Sequence, residues 1–350
     1  MAAYISFQPS DFFSSTLYTG NGVAYGSGGN AITGVGFQPA LTWIKCRTVG
    51  EEPVITDAVR GVTKILRPND TYAESTAAEG LNVFGSDGFT LGLSSQFNED
   101  TEDYVSWNWK MGTTSGLTGG TITPSSYSLN TTARQSIIAY TGTGSAATIP
   151  HGLGVVPNMI IVKALNAATD WAMYHTSNTS PPEDYIQVLN TYAVAADNNL
   201  AWNDTAPTST LFSVNAGDTN ATSKTHIAYC FADVKGYSKF GGYTGNGNID
   251  GTFVYTGFRP AYLLFKRVSG ATANWYCYDC KRLGYNEENA SFQSNTAAVE
   301  ALNIEMYILS NGFKWRDTDT DLNASGAPYL YAAFAEFPFV SSNSIPGMAR

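Results

Sequence analysis

Short apolar runs rich in β-branched and aromatic residues alternate with Gly, Asn, Asp and Pro along the whole chain. The alternation is strict in Val105, Trp107 and Trp109, in Ile227, Tyr229 and Phe231, and in Leu330, Ala332 and Phe334. A period of two puts each trio on one face of a strand. Trp109, Phe231 and Phe334 fall at the same place in the three strands and read as core anchors rather than a ligand platform. Helical periodicity is sparse; residues 74–81 and 296–303 are each expected to form a short helix or turn.

The strand pattern recurs. Tyr18-Thr19-Gly20-Asn21-Gly22 returns as Tyr140-Thr141-Gly142-Thr143-Gly144 and as Tyr243-Thr244-Gly245-Asn246-Gly247. Each copy continues through glycine and proline (Pro39, Pro157, Pro260) into a strand carrying Lys45, Lys163 or Lys266. Each closes on an aromatic strand opening at Tyr104, His226 or Tyr329, at the same separation from its first tyrosine. A late Ser/Asn-Gly turn, at Gly88 and Gly312, is absent from the middle copy. Self-similarity on this scale predicts repeated units. The expected fold is all-β: three tandem β-sandwich, jelly-roll-like repeats of roughly eight strands each, with a short N-terminal arm.

The expected boundaries are an attachment arm at 1–15, repeats at 16–110, 133–235 and 236–340, a Gly/Ser/Thr linker at 111–132 and a polar tail at 341–350. The arm reads either as a strand packed on the first repeat or as a docking segment for another subunit. The near absence of a linker between the second and third repeats predicts tighter packing there than between the first and second.

Composition narrows the function classes. The 350 residues carry a net charge of −10, and only 14% are charged. No Lys/Arg cluster exists for phosphate contact, which argues against nucleic acid and anionic membrane surfaces. No stretch reaches the length of a membrane span, and the first 13 residues have neither a basic start nor an apolar run, so no signal peptide is expected. The expected route is synthesis in the cytoplasm and release by another path.

Candidate chemistry is thin. The Tyr-Thr-Gly phrase lacks the following helix and Lys-Ser/Thr of a phosphate loop, so it reads as a sharp turn with the tyrosine packed beneath it. Four cysteines are too few for a disulfide framework, and Cys277-Tyr278-Asp279-Cys280 has no second pair for zinc. Asp317-Thr318-Asp319-Thr320-Asp321 resembles the start of a calcium loop, but Leu322 and Pro328 stand where glycine and glutamate are needed. Asp57 with Arg60 echoes Asp279 with Arg282 as a structural ion pair; the middle copy has His175 nearby instead. No catalytic, cofactor-binding or metal-binding residue is assigned, and no enzyme is expected.

Several linked motifs carry a resemblance. They are Ala3-Tyr4-Ile5-Ser6-Phe7-Gln8-Pro9-Ser10-Asp11, Gly34-Val35-Gly36-Phe37-Gln38-Pro39, Asp57-Ala58-Val59-Arg60-Gly61-Val62, Tyr104-Val105-Ser106-Trp107-Asn108-Trp109-Lys110 and Gly236-Tyr237-Ser238-Lys239-Phe240. Over nearly its whole length the chain resembles virion proteins of tailed phages from marine bacteria. The resemblance implies a virion location and a non-enzymatic structural role, as a tail fibre or adhesin contacting the host surface. A capsid decoration or head-fibre protein is the alternative, and a surface-polysaccharide depolymerase a second one. The implied partners are other virion proteins bound through residues 1–15, further copies in a homo-oligomer with a trimer favoured, and host glycans stacked on exposed Tyr and Trp.

Overall fold

A computed structural model describes residues 6–338. The ends of the expected arm and the expected polar tail, residues 1–5 and 341–350, lie outside them. The protein is all-β, built from antiparallel sheets with only short helical turns.

Four strands recur in each third of the chain. The opening strands are Phe13–Thr19, Gln135–Thr141 and Ser238–Thr244, and the closing strands are Asp103–Trp109, Thr225–Phe231 and Pro328–Pro338. The lysine strands are Leu41–Cys46, Met159–Ala164 and Phe258–Arg267, and the return strands are Val54–Asp57, Ala172–His175 and Tyr276–Asp279. In all three segments they lie in the order opening, closing, lysine, return. The registers correspond too: Leu41 faces Trp109, Met159 faces Phe231, and Tyr262 faces Phe334.

One face of each principal sheet covers the segment's own core. In the first segment Ile44, Cys46, Val54 and Tyr104 pack with Ile32, Leu81, Phe89 and Leu91 of a smaller sheet. In the second, Ile138, Tyr140, Ile160 and Val162 pack with Ile149, Phe212 and Val214. The opposite faces of the sheets meet in one core shared by all three segments. Both faces being buried explains why the lysine strands read as continuous apolar runs rather than alternating ones.

The trio aligned from sequence lies where the segments converge. Ring centroids are 6.3 Å apart for Trp109 and Phe231, 5.5 Å for Trp109 and Phe334, and 5.7 Å for Phe231 and Phe334. These side chains are anchors for one another, each closing the core of its neighbours.

Several boundaries differ from expectation. The first sheet begins at Phe13, inside the expected arm, and Phe7 and Phe12 pack against Tyr237 of the third segment. Aromatic residues at a terminus have an apolar surface of their own chain to cover. The expected linker contains a strand, Ser126–Asn130, that pairs with the second opening strand. Residues 74–81 and 296–303 form no helix: the first holds the strand Ser75–Thr76 and a turn at Ala78–Glu79, and the second runs from a bend at Thr296 into the strand Ala301–Leu309. Their backbone is drawn into bonds with the next segment, described below. The shared core draws on all three segments.

Candidate functional site

The repeated phrase builds a latch. Tyr18, Tyr140 and Tyr243 stack on Tyr104, His226 and Tyr329 at 5.1, 5.1 and 4.9 Å. Each tyrosine hydroxyl donates to a backbone carbonyl, of Phe97, Thr219 and Leu322. Next to each carbonyl sits a fully buried asparagine: Asn98, Asn220 or Asn323. Its side-chain oxygen accepts the N–H of Asn21 (2.9 Å), Thr143 (2.9 Å) or Asn246 (3.1 Å), and its own carbonyl accepts from Gly22, Gly144 or Gly247. The glycines are required by space. A Cβ on Gly20 would stand 1.9 Å from the Glu99 carbonyl oxygen, and Gly22 has φ +59°. The phrase is a turn with a tyrosine beneath it, as its residues suggest; the asparagine that completes it was not singled out from sequence. It follows each partner by the same 77 positions, so aligning the copies on their tyrosines exposes it.

The repeated polar positions join the segments in a ring. Asp57, His175 and Asp279 occupy one position in the three return strands, opposite Leu41, Met159 and Tyr262. Asp57 Oδ2 accepts from the Tyr229 hydroxyl of the second segment at 2.7 Å. His175 Nε2–H donates to the Tyr331 carbonyl of the third at 3.1 Å. Asp279 Oδ2 accepts from Trp107 Nε1–H of the first at 3.2 Å. Backbone bonds follow the same circuit: Glu74 N–H to Leu165 O, Ala195 N–H to Val268 O, and Glu300 N–H to Arg47 O. The middle copy therefore keeps the position, with histidine in place of aspartate. Arg60 and Arg282 are held by their aspartates and by Glu74 and Glu300, which makes both groups structural ion pairs.

Two of the three lysines bridge segments, Lys45 and Lys163, while Lys266 bonds within its own. Lys45 Nζ donates to the carbonyls of Glu51 and Ala297, Lys163 Nζ to those of Thr169 and Thr71, and Lys266 Nζ to that of Ala273. Burial pulls Lys45 and Lys163 down to about 8 and Lys266 to about 7. The cavity at the convergence point is only about 30 Å³ and is lined by apolar residues such as Trp109, Phe231 and Phe334. Ligand pockets are about ten times larger, so this region is packing and holds no ligand.

The other candidates are committed locally as well. Asp317 Oδ1 accepts from Asp319 N–H and Asp319 Oδ1 from Asp321 N–H, while Asp321 Oδ2 accepts from the Tyr276 hydroxyl. Cys277 and Cys280 are buried and form no disulfide among the described residues, and burial pushes Cys277 up to about 12. Burial lowers His151, His175 and His226 to about 4.

What remains on the surface is asymmetric. In the third segment the edge strand Phe253–Tyr255 pairs with Gly312–Trp315, which pairs with Ala301–Leu309. Val254, Phe313 and Ile308 point inward. Phe253, Lys314 and Tyr307 form a cross-strand row on the outer face, with Tyr255 beside it. Phe253 is 45% exposed and Tyr255 57%. Asp250 receives Lys314 Nζ at 2.6 Å and Arg316 Nη1 at 3.2 Å. The Arg316 guanidinium lies 5.2 Å from the Tyr307 ring centroid, and the Tyr307 hydroxyl donates to Glu287 Oε1 at 3.0 Å. The corresponding rows are Ala31, Thr90 and Val83 in the first segment and Thr148 with Ser213 in the second. Only the third row combines aromatic rings with fixed polar groups. All seven tryptophans are buried, so the exposed aromatic surface is made of Tyr and Phe, contrary to the expectation that Trp would contribute.

The fold and this face define an all-β protein with a single shared core and a polar-aromatic outer sheet. The chain belongs to a family described as "Domain of unknown function (DUF7483)", whose family model matches residues 8–338. No curated protein and no solved structure matches it.

Proposed function

We propose that this chain is a non-enzymatic structural protein of a phage particle, a tail fibre or adhesin, and that the outer face of its third segment binds a host glycan. The observation that carries the glycan reading is the Phe253–Lys314–Tyr307 row with Tyr255, present in one of three equivalent places. Exposed rings offer flat apolar area to the C–H face of a sugar. Asp250, Lys314, Arg316 and Glu287 stand ready to exchange hydrogen bonds with hydroxyls. The virion assignment rests on the motif resemblance and on a surface that is polar with few charges.

The ring closes within one chain. A homotrimer, favoured by analogy with fibres, would therefore use surfaces outside the shared core. Capsid decoration remains the second reading, because three segments in cyclic order suit a threefold-symmetric seat. Locating the protein on particles separates the two.

The direct test is binding of the purified protein to host surface polysaccharide. Tyr255→Ala and Phe253→Ala are expected to weaken binding about three- to tenfold each, the worth of one ring contact, with unchanged melting. Equal binding by wild type and both variants, or no binding by wild type, refutes the glycan reading.

A further inference from the structure

The residue that follows each lysine strand, Arg47, Leu165 or Val268, fixes a joint between two segments. Its N–H donates to the start of its own closing strand or the residue there, at Asp103, Thr225 or Pro328. Its carbonyl accepts from Glu300, Glu74 or Ala195 of a neighbouring segment. The joints therefore place three pairs of side chains in equivalent positions: Glu300 with Arg47, Glu74 with Leu165, and Ala195 with Val268.

The pairs differ in chemistry. Where the third segment meets the first, the Glu300 carboxylate lies between two guanidinium groups. Arg282 Nη1 donates to Oε2 at 3.0 Å. Arg47 donates through Nε to Oε2 at 3.1 Å and through Nη2 to Oε1 at 3.0 Å. Where the second meets the third, Ala195 and Val268 are both apolar and leave no charge to satisfy. Where the first meets the second, half of the ionic arrangement is kept. Arg60, the counterpart of Arg282, donates through Nη1 to Glu74 Oε2 at 3.3 Å. Leu165 stands at the Arg47 position and packs against the shared core instead. Glu74 Oε1 has Lys64 Nζ at 3.9 Å, beyond hydrogen-bond reach, and Lys64 donates to Thr76 Oγ1 at 2.9 Å. The place of the second guanidinium is open to solvent: a groove of about 470 Å³ is lined there by Glu74, Val59 and Leu165, with the exposed Ser125 and Ser126 on its rim. That volume lies in the range of ligand pockets.

We propose that this groove binds a guanidinium group from outside the chain, which takes the place at Glu74 that Arg47 takes at Glu300. A planar guanidinium matches a carboxylate through two parallel hydrogen bonds. Val59 and Leu165 would flank the methylene stem of an arginine, and the hydroxyls of Ser125 and Ser126 would accept further N–H groups. The net charge of −10 favours the approach of a cation. The inference does not depend on the glycan reading.

The probe is an arginine flanked by two glycines and capped at both ends, titrated calorimetrically into the whole protein at low salt. The same peptide with uncharged citrulline in place of arginine is expected to bind at least about tenfold more weakly. Glu74→Gln is expected to weaken arginine binding by about tenfold or more. Ser126→Trp narrows the groove from its exposed rim and leaves the Arg60–Glu74 pair intact, so it keeps the test valid should Glu74→Gln fail to fold. Leu165→Arg rebuilds the Glu300–Arg47 pair within the chain and is expected to abolish binding. Methylguanidinium that matches the peptide's affinity identifies the ligand as a small molecule; a tighter peptide identifies it as the arginine of a partner polypeptide. The inference is overturned by no binding of either probe at millimolar concentration, by equal binding of the arginine and citrulline peptides, or by binding unchanged in any of the three variants.

Discussion

Asn98, Asn220 and Asn323 each hold a turn in place from beneath, with no solvent contact. Asn323 shows the economy of the arrangement: its amide donates to Asn246 Oδ1, to Asn248 O and to Asp317 O while its oxygen accepts from Asn246 N–H. Removing the side chain deletes several hydrogen bonds at once, each worth about 1 kcal/mol net because Asn246 and Asn248 are exposed and can turn to water. Asn323→Ala is expected to lower unfolding stability by roughly 3 kcal/mol, measured by urea denaturation; a loss within error of zero would show that the latch is incidental. The phrase above these asparagines was legible in sequence because glycine and tyrosine recur in a contiguous word. The asparagines were not, because their partner lies far along the chain and the intervening loops differ.

At the scale of elements, the return strands show one position solved in two chemistries. Asp57 and Asp279 meet a side-chain donor, from Tyr229 and Trp107. The third closing strand has Ala332 at that place, which offers no donor, and the partner becomes the Tyr331 carbonyl, an acceptor. An acceptor needs a donor opposite, and His175 supplies one. Its Nδ1 meanwhile accepts from Ser177 N–H at 3.0 Å, so the neutral ring uses both nitrogens. Burial holds this histidine at about 4, against about 6.5 in an unfolded chain. A depressed pKa contributes stability that is present above pH 6.5 and is lost as pH falls toward 4. His175→Gln keeps a donor and an acceptor but cannot titrate. The wild type is expected to lose up to about 3 kcal/mol relative to this variant between pH 7 and 4, read from denaturation curves at each pH. A difference independent of pH would contradict the assignment. Sequence located the Asp/Arg echo and His175 but gave no sign that they bridge segments, because a contact across a ring leaves no local period. For the same reason residues 74–81 and 296–303 read as a short helix or turn: the bonds that tie Glu74 to Leu165 and Glu300 to Arg47 of a neighbouring segment leave no local period.

On the scale of the whole molecule, the strand pattern predicted an all-β sandwich fold and this is the fold observed. It did not predict that the outward faces of three sheets would form a core larger than any one segment's own. Alternation in the closing strands was visible, with Val105, Trp107 and Trp109 on one face, but nothing in it says which neighbour that face covers. The surface row at Phe253, Lys314 and Tyr307 was equally silent, since its meaning comes from comparison with Ala31, Thr90 and Val83 in the same place. Shared burial has an energetic consequence. Trp109, Phe231 and Phe334 lose their partners if any one segment opens, so the three should unfold together. Scanning calorimetry of the full chain tests this most directly. The ring predicts one transition, with calorimetric and van't Hoff enthalpies in agreement; separate transitions, one for each segment, would contradict a shared core.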